Sequence, residues 1–374
     1  MNRRAMLLSL LSAAAVAPAA AQRVYDTQQG AVRLETVASG FGSPWSLAFL
    51  PDGRMLVTEL EGKLRVVSQD GQISEPVSGL PEVSARGQGG LLDVVLHPRF
   101  DSTRLIFMSF SEPREGGNAT SVMRARLSDD ARSLDAVEVI FRQQPATDGG
   151  QHFGSRLVFD RTGALYVTTG DRNKLRSLVQ QADNHIGKII RITEDGGVPA
   201  DNPKVEGWLP EIWSIGHRNV QGATLHPETG EYWTVEHGSR GGDELNHPQA
   251  GKNYGWPVIS YGREYSGKKL GEGTEKPGME QPVHYWDPSI APSGMAFYTG
   301  DKFPDWKGNL FVGALAQRHV ARLIMEGGKV VGEERLFEDV ARFRDVRQGP
   351  DGYIYLLTDE DAPNGRLLRV VLAG

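Results

Sequence analysis

Apolar and polar positions alternate along this chain in short runs, each broken by a Pro/Asp/Gly or Thr/Gly turn and then resumed. Residues 45–53 run from Trp45 through such a stretch to Pro51, Asp52 and Gly53, and the pattern returns in residues 55–58 and 63–67. An apolar residue at every second place marks a strand with one face buried. The turn glycine supplies the positive φ that a tight antiparallel connection demands. Each unit is therefore predicted to be a hairpin.

Related units follow at residues 91–100 with 105–110, 157–163 with 165–169, 223–230 with 232–235, 295–298 with 310–312, and 346–352 with 354–358. A hairpin recurring in this way predicts an all-β chain, a six-bladed β-propeller of four-stranded antiparallel blades. A two-sheet sandwich is the competing arrangement, and it suits this repeat number and turn punctuation less well. Six blades of about 40–45 residues leave roughly 80–110 residues for insertions. Long loops on one face of rigid sheets are where sites are usually built.

Composition narrows the setting. Arg3 and Arg4 precede an apolar run from Ala5 to Leu11 and small residues ending at Ala21, which predicts an export signal over residues 1–21. Residues 22–374 are then expected to form one propeller domain, periplasmic or secreted. The apolar run falls short of the roughly 20 residues of a spanning helix, and no later stretch is apolar enough, so the mature chain is expected to have no membrane span. A net charge of −6 with no Lys/Arg block argues against nucleic acid as a partner and leaves small neutral substrates open. With no cysteine in the chain, disulfides, thiolate metal sites and cysteine nucleophiles are excluded.

The insertions hold the polar, glycine-rich segments: Gly87 to Gly90, Asp148 to Arg156, Gly170 to Asn173, Gly216 to Asn219 and Glu236 to Asn246. His152 is the best candidate general base, since imidazole titrates near neutrality and the glycines around it admit a ligand to the backbone. The plain alternative is a turn histidine bonded to a carbonyl. Asp171, just past the apolar run 165–169, is placed to orient that imidazole, or else to form an Asx turn. Arg342 and Arg344 are two residues apart, so on a strand they share a face and repel unless an anion lies between them. With Arg218 they make three permanent cations, suited either to a ligand with several carboxylates or phosphates or to three separate ion pairs. The stretch from Gly238 to Asn246 offers the oxygen-rich mixture that Ca²⁺ takes as ligands, though its spacing is not that of an EF-hand.

These segments, in this order, resemble the soluble PQQ-dependent sugar dehydrogenases, especially the aldose sugar dehydrogenase branch. The words that carry the resemblance are Gly87 to Leu92, His152 to Leu157, Gly216 to Asn219, Asp243 to Asn246 with Gly251 to Pro257, and Arg342 to Val346, within a match from about Gly40 to Val371. The resemblance implies a six-bladed propeller with pyrroloquinoline quinone (PQQ) over the central channel and a sugar substrate. It implies His152 as the base that takes the anomeric hydroxyl proton, Asp171 as its carboxylate partner, and Gln88, Arg218, Asn219, Arg342 and Arg344 as cofactor contacts. It further implies a catalytic Ca²⁺ on the backbone carbonyls of Gly238 and Ser239, and a second, structural calcium near Asp243, Glu244 and Tyr254. One departure stands out. Where relatives commonly place a lysine against the quinone, this chain has Ala316, with Gln317 and Arg318 as the available substitutes.

Two other functions fit a six-bladed propeller: a calcium-dependent lactonase, which has no need of Arg342 and Arg344, and a binding platform that has lost its cofactor. The identity of the sugar, expected to be set by loops such as residues 262–282, and that of the electron acceptor are not encoded in any motif. Tyr285 and Trp286 offer faces for a sugar ring, or equally for core packing.

Overall fold

The innermost strands of six sheets form a closed ring. They are Pro44–Phe49, Leu91–Leu96, Gly154–Phe159, Val220–Leu225, Pro292–Phe297 and Phe343–Gln348, each packed on the next and the last packed on the first. This is a computed structural model, and it describes residues 23–373; the proposed export signal lies outside the described residues. The fold is a six-bladed β-propeller.

Each hairpin predicted from the sequence is the inner pair of strands of one blade, with second strands Met55–Glu59, Leu105–Arg114, Leu165–Thr169, Tyr232–Glu236, Leu310–Ala314 and Ile354–Thr358. Three blades have four strands, the first has three, and the third gains the two-residue Lys252–Asn253 in parallel. The sixth has five, because Gly30–Phe41 pairs with Gly365–Leu372 and carries Val24–Thr27 outside it. That pairing of the described chain's two ends closes the ring without an exposed edge between last blade and first.

The core is divided into slabs between neighbouring blades rather than gathered in one centre. Leu56 and Leu64 meet Leu91 and Met108 between the first and second blades, and Phe107 and Val122 meet Leu157 and Val167 between the second and third. The interface of sixth and first blades is built the same way, from Leu357 and Leu367 against Leu47 and Val57. Inner strands are thus covered on both faces, which explains their nearly continuous burial. An outer strand such as Leu134–Arg142, largely exposed, carries a weaker pattern.

One irregularity repeats in every blade. The pairing of first and second strands shifts register near the start of the inner strand, between Pro44 and Ser46, Leu91 and Val94, Gly154 and Leu157, Val220 and Gly222, Pro292 and Met295, and Phe343 and Asp345. Such bulges bend a strand and re-aim its side chains. Here they ring one end of the propeller, where the candidate site residues stand.

Below that rim the inner strands are tied by a buried ionic cluster. Arg156 Nη1 lies 3.1 Å from both Asp93 Oδ1 and Asp345 Oδ1, and Arg347 reaches the same two acids at 3.0 and 2.9 Å. Leu47 N donates to Asp345 at 3.1 Å, Leu157 N to Asp93 at 2.7 Å, and Arg156 Nε to the Gln221 carbonyl at 2.9 Å. Five of the six blades meet in this cluster. Removing one member of a buried charge group strands the others, so Arg156→Met is expected to cost about 3–5 kcal/mol, read as a fall in the urea midpoint of unfolding.

Candidate active site

The site occupies the rim where inner strands begin and second strands end. Gln88, His152, Arg218, Asn219 and Arg342 lie within three residues before an inner strand, and Arg344 is the second residue of one. Asp171, His237, Leu315 and Asp359 follow the ends of second strands. Residues far apart in the chain meet there because each blade presents the same two strand ends to one face.

His152 and Asp171 form a buried pair, with Nδ1 and Oδ1 2.6 Å apart. Their loops touch backbone to backbone: a Cβ on Gly170 would stand 2.0 Å from the His152 carbonyl, so only glycine passes there. His152 itself takes a left-handed φ of 51°. It is fixed by its N–H, which donates to Gln88 Oε1 at 2.8 Å.

Burial pushes the Asp171 carboxyl up, but hydrogen bonding and charge from His152, with the Arg218 charge and the Asn173 N–H, outweigh it and hold it below its ordinary value. The ionised carboxylate only accepts, so His152 Nδ1 carries the proton and Nε2 keeps a bare lone pair. Burial, opposed by the Asp171 hydrogen bond and assisted by Arg218 and Arg172, lowers the His152 pKa below its ordinary 6.5. The imidazole is therefore neutral at pH 7, the state a base requires.

A cavity of about 810 Å³ opens beside this pair, with Gln88, Trp45, Gln221, His237, Arg342, Arg344 and Asp359 in its wall. The sequence required an anion between Arg342 and Arg344, and the protein supplies one. Asp359 accepts from Arg342 Nη2 at 2.7 Å on one oxygen and from Arg344 Nη2 at 2.8 Å on the other. Burial opposes its ionisation, yet the Arg344 and Arg342 charges hold its pKa down at about 2.

Arg218 is buried, with its guanidinium 5.2 Å above the Trp256 ring centre, and Nη1 donates to the His237 carbonyl at 3.3 Å. Its Nε and the Nδ2 of neighbouring Asn219 are buried donors with no protein acceptor among the described residues. His237 completes the group. Nε2 donates to the Pro292 carbonyl at 2.7 Å, and burial together with the Arg218 charge drives its pKa to about 3, so it too is neutral.

A second hollow of about 620 Å³ shares His237 and Ala291 with the first and is walled by Gly238, Ser239 and Ala316. Backbone is packed tightly there, since a Cβ on Gly238 would meet the Gly241 and Gly242 carbonyl oxygens at 2.2 and 2.3 Å.

Three comparisons bear on this geometry. The family model described as Glucose / Sorbosone dehydrogenase matches residues 41–369. The chain belongs to the glucose/sorbosone dehydrogenase family. Among curated proteins, the aldose sugar dehydrogenase YliI of Escherichia coli K12 is 48% identical over 346 residues, covering 91% of this chain and 92% of that protein. Among solved structures, a glucose dehydrogenase is 51% identical with a TM-score of 0.88, over 91% of this chain and 99% of the other. The PQQ-bound aldose sugar dehydrogenase of Streptomyces coelicolor is 28% identical with a TM-score of 0.77, over 91% and 98%.

Within this glucose/sorbosone dehydrogenase fold the expected metal residues fall into two places. Gly238 and Ser239 line the second hollow. Asp243 does not stand free: its carboxylate accepts from the N–H groups of Gly238, Ile290 and Ala291 at 2.7 to 2.9 Å and from the Ser289 hydroxyl. In this arrangement its oxygens fix the backbone on either side of that hollow. Glu244 lies elsewhere, sharing the Asn246 amide with Glu236, and burial with the Glu236 charge raises its pKa to about 8. The Tyr254 hydroxyl donates to the His247 carbonyl at 2.7 Å. No three His, Asp or Glu side chains converge as a metal cluster among the described residues, so a cation here must draw heavily on backbone carbonyls.

At the departure from the family pattern, Ala316 contributes only a methyl group to the second hollow. Neither neighbour lines either hollow. Gln317 is bonded to the Ser289 carbonyl and Arg335, and Arg318 Nη2 reaches the Asp339 and Val340 carbonyls. Trp286 is core, packed with Trp233 and Ile290. Tyr285 is exposed and stacked on Tyr261, with ring centres 4.0 Å apart. Neither lines the central cavity.

His237, Gln221, Trp256 and Asp359 were missed in the sequence. The repeat carried a signal for two of them, since His237 and Asp359 directly follow a second strand, one place before the position that Asp171 holds after its own. For Asp359, the depressed pKa sets the sign of its linkage: its contribution is complete above its ordinary 3.8 and vanishes as pH falls towards 2. Asp359→Asn is thus expected to destabilise the fold by about 2 kcal/mol at pH 7, a deficit that closes between about pH 4 and pH 2 in parallel denaturant titrations.

Proposed function

We propose that this chain is an exported, PQQ- and calcium-dependent aldose sugar dehydrogenase that converts the sugar to its lactone and passes the electrons to a separate acceptor. One observation carries the proposal. A neutral histidine held by a buried carboxylate, and two buried donors without protein acceptors among the described residues, Arg218 Nε and Asn219 Nδ2, stand just behind the wall of the cavity that bears the Arg342 and Arg344 pair: His152 is bonded to Gln88 and Arg218 to the His237 carbonyl, and Gln88 and His237 line it. PQQ has three carboxylates and quinone oxygens, so it matches a site rich in positive and donating groups. The likeness to the Streptomyces coelicolor enzyme solved with PQQ supports the same reading.

Arg218, Arg342 and Arg344 would hold the cofactor's carboxylates, Asn219 and Gln88 its other oxygens, and the carbonyls of Gly238 and Ser239 the cation, with the second calcium near Asp243, Glu244 and Tyr254. When bound, PQQ supplies a two-electron acceptor for hydride and Ca²⁺ a Lewis acid that stabilises the negative charge arriving with it. His152 Nε2 takes the proton of the anomeric hydroxyl, leaving the electron pair of its O–H bond to form the lactone carbonyl as hydride departs. Asp171 keeps Nδ1 protonated and stabilises the imidazolium that results.

Reconstitution is the direct test: PQQ with Ca²⁺ is expected to give dye reduction by aldoses, and lactone hydrolysis without quinone would overturn the proposal. His152→Ala is expected to lower turnover at least about 10²-fold while PQQ still titrates in. Chelation of calcium, followed long enough for slow dissociation, should lower both melting temperature and activity; if neither moves, the metal has no part.

A further inference from the structure

Trp256 belongs to a segment that the fold brings under the site although it lines neither hollow. Its indole is buried in a small cluster with Val179, Ile186 and Leu270. Nε1 points out of that cluster and donates to Asp171 Oδ2 at 2.9 Å, on the carboxylate oxygen that His152 does not use. Asp171 Oδ1 serves His152 and the Asn173 N–H at 2.7 Å, so the indole holds the other end of the carboxylate. The face of the same ring lies 5.2 Å below the Arg218 guanidinium, near enough for a cation–π attraction. The Trp256 backbone is anchored as well, its N–H donating to Gly216 O at 3.0 Å and its carbonyl accepting from Gln180 Nε2 at 2.7 Å.

We infer that Trp256 is a positioning residue that joins the two halves of the site, orienting the Asp171 carboxylate against His152 through its N–H and seating Arg218 through its ring face. The inference rests on the dehydrogenase reading for its kinetic consequences, but the coupling itself is a property of the protein alone. A carboxylate can swing about its Cβ–Cγ bond, and a donor on each oxygen stops that rotation. Partners that orient the direct ligand or base commonly change activity about 10- to 100-fold when removed. The N–H also has an electrostatic effect. A carboxylate deprived of a donor becomes more basic and stabilises the His152 imidazolium more strongly, so the base should protonate at higher pH. The other charged or titratable groups acting on the His152–Asp171 pair, Arg218 and Arg172, and His237 beside them, remain unchanged in such a variant.

Two substitutions separate the two contacts. Trp256→Phe keeps a ring under Arg218 and removes the N–H, while Trp256→Leu removes both. In reconstituted enzyme, Trp256→Phe is expected to lower kcat about 10-fold and move the acid limb of the pH profile upward, with half-saturation by PQQ unchanged. Trp256→Leu should show the same changes and in addition need several-fold more PQQ. In the protein without PQQ, NMR titration of the labelled histidines, with the His152 signal identified by its loss in His152→Asn, is expected to show a raised His152 pKa in both variants. An unmoved His152 titration in folded Trp256→Phe overturns the inference, whatever the outcome for PQQ. Wild-type protein that fails to oxidise aldoses with PQQ overturns the dehydrogenase reading instead, and leaves the NMR result as the test of Trp256.

Discussion

Keeping Asp171 ionised in a buried place is the constraint around which the site is arranged. A carboxylate out of water is expensive unless its oxygens are bonded and a cation is near. Here one oxygen faces His152 and the Asn173 N–H, the other faces the Trp256 indole, and Arg218 contributes positive charge. Those same contacts dictate the histidine tautomer, and with it the bare Nε2 that proton abstraction requires. The glycine at 170 and the left-handed backbone at His152 follow from bringing the two loops close enough for the bond.

The cationic side of the cavity answers a related problem differently. Three guanidinium groups near one another repel, and the chain relieves this in part with Asp359, which sits between Arg342 and Arg344. Among the described residues Arg218 is not paired with a carboxylate in this way; it rests on an aromatic face and a carbonyl and keeps a donor without an acceptor. Positive charge is therefore held in and close behind the wall without collapse onto a salt bridge at every position. That is the condition for receiving an anionic ligand.

Both arrangements depend on a scaffold that does not yield. The inner strands are covered on both faces, joined by a buried cluster centred on Arg156, and closed by the pairing of Gly30–Phe41 with Gly365–Leu372. Loops are then free to be irregular, and the bulge at the head of each inner strand turns neighbouring side chains towards the same space. Asp243 shows how the two levels meet: a buried acid after the second strand of the fourth blade spends its oxygens on Gly238, Ile290 and Ala291, and so shapes a hollow that it does not itself line.

Read alone, the chain was enough for the hairpins, their number, the propeller, and the candidacy of His152, Asp171 and the arginines, because strand periodicity, turn glycines and side-chain chemistry are local properties. It left the outer strands faint, since they are half exposed and their pattern is diluted, and it gave residues 24–41 no place, since their partner lies at the far end of the chain. Only the tertiary structure could decide that Asp359 and not a ligand alone separates Arg342 from Arg344, that Asp243 accepts from the backbone of Gly238, Ile290 and Ala291, that Gln317 and Arg318 are bonded away from both hollows, and that an indole from a remote loop grips the second oxygen of Asp171. Each of these is a contact between loops or strands, over separations of up to 85 positions, or a competition for a single acceptor, and no local pattern records which partner prevails.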